Sequence, residues 1–101
     1  MSAYVISESE VLDETLAQRY RELAAASIAR YGGTYLARAV DPEVAEGEFP
    51  PARRAFVIEF PDLARVREWY DSPEYTEARK LAAKALKRRM LFVDGVVPPA
   101  G

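Results

Sequence analysis

The chain opens on strict alternation. In AYVISESEV, residues 3–11, Tyr4, Ile6, Glu8 and Glu10 share one face, and Ala3, Val5, Ser7, Ser9 and Val11 share the other. A period of two predicts a strand. The period then lengthens: Leu16, Tyr20, Leu23, Ala24, Ile28 and Tyr31 recur three and four apart, the spacing of a helix with one buried stripe. Asp13 is placed to cap this helix, and Glu14 suits the positive end of its first turn. Gly32-Gly33 ends it, because glycine adopts the left-handed conformation beyond a helix terminus at little cost.

TYLARAV, residues 34–40, predicts a second strand, and DPEVAEGEFPPA, 41–52, a loop with three prolines, one glycine and four acids. RAFVIEF, 54–60, is a third strand whose dense apolar run suits a central place in a sheet. Pro61-Asp62 opens a second helix with Leu63, Val66, Trp69 and Tyr70 on one stripe. Ser72-Pro73, inside WYDSPEY, breaks that helix and starts a third. The serine supplies N-cap chemistry, and proline fits the first helical position. Tyr75, Ala78, Leu81, Ala82, Ala85 and Leu86 form the next buried stripe, and RMLFV, 89–93, is the last strand. The order β-α-β-β-α-β predicts an α+β, ferredoxin-like fold: a four-stranded antiparallel sheet with helices on one face and the second helical stretch broken. Residues 1–101 are expected to form one domain, with a core over about 3–96 and a flexible tail over 97–101.

That pattern raises a problem of exposure. Helices cover one face of such a sheet and leave the other open. The third and fourth strands are apolar on both sides, with Phe56, Ile58 and Phe60 against Ala55 and Val57, and Met90 and Phe92 against Leu91 and Val93. One of these sides would face water as a large apolar patch. A homodimer with sheets packed face to face, leaving room for a pocket between sheet and partner, is the expected remedy.

Composition narrows the chemistry. Of 101 residues half are apolar and 30% charged, which places the chain among small globular domains. It has neither cysteine nor histidine, so thiolate nucleophiles, Cys/His zinc sites, Ser-His-Asp triads and a proximal-histidine haem are excluded. Proton transfer near neutral pH must come from a perturbed Asp, Glu, Lys or Tyr, or from the substrate. No signal peptide or membrane span is evident, and the lack of cysteine fits a cytoplasmic setting. Residues 1–50 hold 4 basic and 9 acidic side chains, residues 51–101 hold 10 and 7. That asymmetry is too mild to imply nucleic acid.

AYVISESEV, YGGTYLARA, the EG of AEGEFP and VIEFPDLARVREWYDSPEY together resemble the family called domain of unknown function 1330, from about Ala3 to Val96. Segment 57–79 is the most specific part. The resemblance implies the dimeric α/β-barrel superfamily, whose members include cofactor-free monooxygenases acting on quinol-like aromatics, haem-dependent enzymes, isomerases and ligand-sensing domains. It implies no single activity.

Four residues are candidates for a site. Glu59, an acid within FVIEF, is a desolvated proton shuttle, the partner of an arginine such as Arg38, or an acid near solvent at the strand end. Arg38, which the family resemblance also covers, is either a clamp for a carboxylate or enolate oxygen or a structural partner for Glu59 or the acidic loop. Tyr4 and Trp69 are candidate pocket walls and hydrogen-bond donors; Tyr4 has an ordinary alternative as a core or interface aromatic. Glu8 and Glu10 with Glu59 make only a weak cation site, lacking calcium-loop spacing. The acidic loop with Glu43, Glu46 and Glu48 is a lid, a solvated connection or an arm to a partner. Arg79, Lys80, Lys84, Lys87, Arg88 and Arg89 make the basic cluster, most of it on the exposed side of the third helix, and read as a solvated helix face. The expectation is a homodimer that binds a small aromatic or carboxylate-bearing molecule. No cofactor, metal, nucleic acid or membrane is expected, and any chemistry would be proton transfer, isomerisation or oxygenation. The competing reading is a non-catalytic binding or accessory domain with a closed interface.

Overall fold

The computed structural model describes residues 1–96; the expected tail over 97–101 lies outside the described residues. The elements run β1 (Ala3–Val11), α1 (Glu14–Arg30), β2 (Thr34–Val40), β3 (Arg54–Phe60), α2 (Leu63–Asp71), α3 (Pro73–Ala85) and β4 (Leu86–Asp94). The strands form one antiparallel sheet in the order β2-β3-β1-β4, so the apolar β3 is central, as its composition predicts. This is the ferredoxin-like arrangement.

The helix boundaries follow their caps. Asp13 accepts from the Leu16 amide at 3.1 Å, Asp62 from Arg65 at 2.7 Å and Ser72 from Tyr75 at 3.1 Å. At the end of α1, Gly32 sits at φ +83°, with its amide on the Ala29 carbonyl and that of Gly33 on Ile28. These are the paired bonds of a Schellman terminus. The end of α3 differs from the sequence expectation. Leu86 belongs to β4 rather than to the helix, and the strand begins three residues earlier than its apolar run suggests. The cause is tertiary: Leu86 pairs with Val11 across the sheet, and the Ala85 carbonyl accepts the Leu12 amide at 2.7 Å.

The core lies between helices and sheet, around Val5, Ile58, Phe60, Val66, Trp69 and Tyr75. Trp69 is its centre, 4.1 Å from the Tyr75 ring and 5.2 Å from Phe60 between centroids. Its indole N–H donates to Ser27 Oγ at 3.0 Å, and Ser27 in turn donates to the Ala24 carbonyl. WYDSPEY is thus the joint of two helices, with its aromatic rings in the core.

Register settles which side of the sheet is open. Ser7 pairs with Phe56 and Met90, and Val5 with Ile58 and Phe92, so those apolar residues face the helices. Tyr4, Ile6, Ala55, Val57, Glu59, Leu91 and Val93 make the open face. Leu91 and Val93 there are 44% and 39% exposed.

Candidate functional site

The sequence places a pocket between the open face and a partner copy. A cavity that the chain itself forms lies on the opposite side, between α1 and the sheet. It holds about 480 Å³, within the range of small-molecule sites. Ala24, Ile28, Phe56, Ile58, Met90 and the buried Trp69 give it apolar walls. Ser7 and Ser9, whose hydroxyls lie 3.3 Å apart, add polarity from β1.

Arginine dominates the charge. Arg21, Arg38, Arg54 and Arg88 all line the cavity. Glu10 is the sole acid among the lining residues, and its position in β1 belongs to the other face. Two of the four arginines are committed elsewhere. Arg21 is paired with Glu14, and Arg54 donates to the carbonyls of Arg53 and Pro51. Arg38 and Arg88 have no carboxylate partner among the described residues.

Arg88 is held from α1 and α3 together. It donates to Tyr20 Oη at 2.7 Å, and that oxygen lies 2.8 Å from Tyr75 Oη. An arginine can only donate, so Tyr20 accepts from it. If Tyr75 also donates to Tyr20, the Tyr20 hydroxyl proton is left to point at a ligand. Burial opposes the Arg88 charge, but the Tyr20 and Tyr75 oxygens outweigh it, and the guanidinium titrates above its ordinary value. Burial pushes the Tyr75 phenol far upward, keeping it neutral. Burial also raises Tyr35, against the pull of Arg38, whose guanidinium carbon lies 4.4 Å from the Tyr35 ring centroid.

A break in β2 brings Arg38 to this face. Tyr35 pairs with Ile58 but Ala37 with Val57, and Val40 with Ala55, so one extra residue enters the ladder at each of two irregularities. In an unbroken strand, residues 35 and 38 would point to opposite faces. Ala39, at φ +54°, takes a left-handed conformation at the second irregularity.

Of the four candidates from sequence, Arg38 and Trp69 line the cavity, while Glu59 and Tyr4 are cross-strand neighbours on the open face. Among the described residues Arg38 and Glu59 form no ion pair, with each other or with anything else. The basic cluster needs correction. Lys87 and Arg88 lie on β4, not on a helix; Arg88 enters the cavity, and Arg89, on the strand as expected, donates to Glu8 at 2.5 Å. Arg88, Tyr20 and Tyr35 escaped sequence reasoning. The legible signal was the phase of β4: from Leu86 onward, Arg88 shares a face with Met90 and Phe92. Glu8 is taken by Arg89 and Arg53, and no group of three acids gathers among the described residues to hold a metal.

The sequence pattern of one family, a domain of unknown function, matches residues 2–96. The chain belongs to the DUF1330 family. No curated protein matches it in sequence. Among solved structures, a protein of unknown function from Rhodopseudomonas palustris is similar at a TM-score of 0.76 and 16% identity, covering 96% of this chain and 84% of that one. A dimeric protein of unknown function with a ferredoxin-like fold, from Bacteroides fragilis, gives 0.63 and 16%, covering 93% and 96%. SnoaB, a cofactor-independent oxygenase from Streptomyces nogalater, gives 0.68 and 10%, covering 96% and 95%. At such identities the shared property is the fold.

Proposed function

We propose that this DUF1330 protein is a homodimer that binds a small aromatic molecule bearing a carboxylate, phenol or enol in the cavity beneath α1. One observation carries the reading: Arg88, half-buried beside an apolar cavity, has a tyrosine for a partner and, among the described residues, no carboxylate. A shielded cation without a counterion is costly, and an acidic ligand group would relieve it. Arg38 then clamps from the rim and Trp69 closes the wall.

The same charge supplies chemistry. A guanidinium next to a bound phenol or enol lowers its pKa and stabilises the anion. An electron-rich anion of that kind can be reprotonated at carbon, giving isomerisation, or react with dioxygen without a cofactor. SnoaB carries cofactor-independent oxygenation on a similar fold, an analogy at the level of fold. A second reading, binding without turnover, is favoured by the wall itself: among the described residues the one lining acid, Glu10, occupies an open-face position of β1 rather than one aimed at the cavity as a base. Glu59, beside Tyr4, serves as acid or base only for a ligand held between the open face and a partner copy. A cytoplasmic setting fits the lack of cysteine.

The test is a calorimetric screen of aromatic acids and phenols on the wild type, Arg88→Met, Arg38→Ala and Glu59→Gln. Binding is expected to fall at least about tenfold in Arg88→Met, the scale of a charge-assisted hydrogen bond, and to persist in Glu59→Gln. Affinity unchanged in Arg88→Met removes the cavity reading. Affinity lost only in Glu59→Gln moves the site to the interface.

A further inference from the structure

Resting on that cavity reading, we propose that the ligand is a two-ended acid: an aromatic or apolar body with an acidic group at each end. The cavity has two arginine–tyrosine pairs, and they come from opposite edges of the sheet. Arg38 of β2 lies over the Tyr35 ring at 4.4 Å, and Arg88 of β4 over the Tyr20 ring at 5.1 Å. In the order β2-β3-β1-β4 these are the two edge strands, three inter-strand spacings apart. Three spacings amount to about 14 Å between backbones.

The floor between the pairs is largely apolar. The row Phe56, Ser7, Met90 crosses β3, β1 and β4 on the helix side, and Ile28 and Trp69 close over it. A ligand with one acidic group would satisfy one guanidinium and leave the other facing the cavity. The remaining two arginines do not change this count, because Arg21 is neutralised by Glu14 and Arg54 is turned onto loop carbonyls. The irregular ladder of β2 points the same way. One extra residue between Tyr35 and Ala37 is needed to present Arg38 on this face, and the described residues give it no protein carboxylate to meet there. Both ends keep a charged donor over a tyrosine ring, matching a carboxylate or phenolate at either end.

The experiment compares rigid diacids with their monoacids: terephthalate, naphthalene dicarboxylate and biphenyl dicarboxylate, acidic at opposite ends, against benzoate, naphthoate and biphenyl carboxylate. Calorimetry on the wild type is expected to give at least one diacid an advantage of about tenfold or more over its monoacid, the scale of one further charge-assisted contact. Arg38→Gln and Arg88→Gln should each erase that advantage. Arg38, exposed at the rim, can be replaced without loss of the fold, and Arg38→Lys should restore part of the preference. Monoacids that bind as tightly as every diacid overturn the two-ended ligand and leave the cavity reading standing. A diacid preference that survives Arg38→Gln also overturns it. Binding of neither class overturns both.

Discussion

At the scale of single residues, the core depends on one hydroxyl. Ser27 Oγ accepts from the only tryptophan, and Ser27→Ala would leave the buried indole N–H unpaired. The expected loss is about 1–3 kcal/mol in urea unfolding followed by Trp69 fluorescence. A midpoint equal to wild type would refute that account. Glu8 makes a second residue-scale prediction. The hydrogen bond from Arg89 holds its carboxyl below the ordinary 4.5, against a smaller opposing effect of burial, and Arg53 adds to the pull. A depressed folded pKa stabilises the protein above the unfolded value, and that contribution disappears as pH falls through the folded value. Wild type should therefore lose stability below about pH 4.5 more steeply than Glu8→Gln. Urea midpoints measured between neutral pH and pH 3 check it; parallel curves would count against the Glu8 bridge.

At the scale of elements, two joints set the architecture. Ser72 caps α3 through the Tyr75 amide and donates its hydroxyl to the Trp69 carbonyl, tying α2 to α3 while Pro73 holds the first helical position. Ser72→Ala should cost about 0.5–2 kcal/mol, the range for a lost N-cap, with far-UV spectra checking that both helices persist. Gly33 is constrained by contact. A Cβ there would stand 2.7 Å from Ile28 Cγ2 and 2.8 Å from the Phe60 ring. Gly33→Ala should lower stability by about 1–3 kcal/mol, the usual cost of overpacking. A stabilised variant would show that the neighbours move aside freely. The helices and their joint were legible because caps and breakers are local signals. The face of Arg38 was not, because a strand extended from Tyr35 by alternation alone places it wrongly. An irregular ladder is a property of two strands.

At the scale of the whole molecule, the open face is the outstanding feature. Ile6, Val57, Leu91 and Val93 lie on it uncovered by any helix, and the salt-bridged Glu8 sits on the same face between Arg53 and Arg89. A second copy laid on this sheet would bury apolar surface that a single chain leaves in water. The protein is therefore expected to sediment as two chains, and Leu91→Asp to sediment as one, since an unpaired carboxylate cannot be buried there cheaply. Wild-type protein that stays monomeric at high concentration would remove the homodimer. The chain's fold also outlasts sequence likeness: neighbours at 10–16% identity share it. Many apolar combinations satisfy one layer of helices on one sheet.

The sequence alone determined the element order, the ends of α1, the broken helix at Ser72-Pro73 and the central place of β3. Each is written in periodicity, caps or glycine and proline, which act over a few residues. Tertiary structure alone decided where the cavity lies, which side of the sheet stays open and which arginines enter the site. Those outcomes depend on register, and register is set between strands far apart in the chain. Arg88 shows the difference: in sequence it is one of six basic residues near the end of the chain. In the fold, the pairing of Ser9 with Arg88 fixes its face, and Tyr20, 68 positions earlier, receives it.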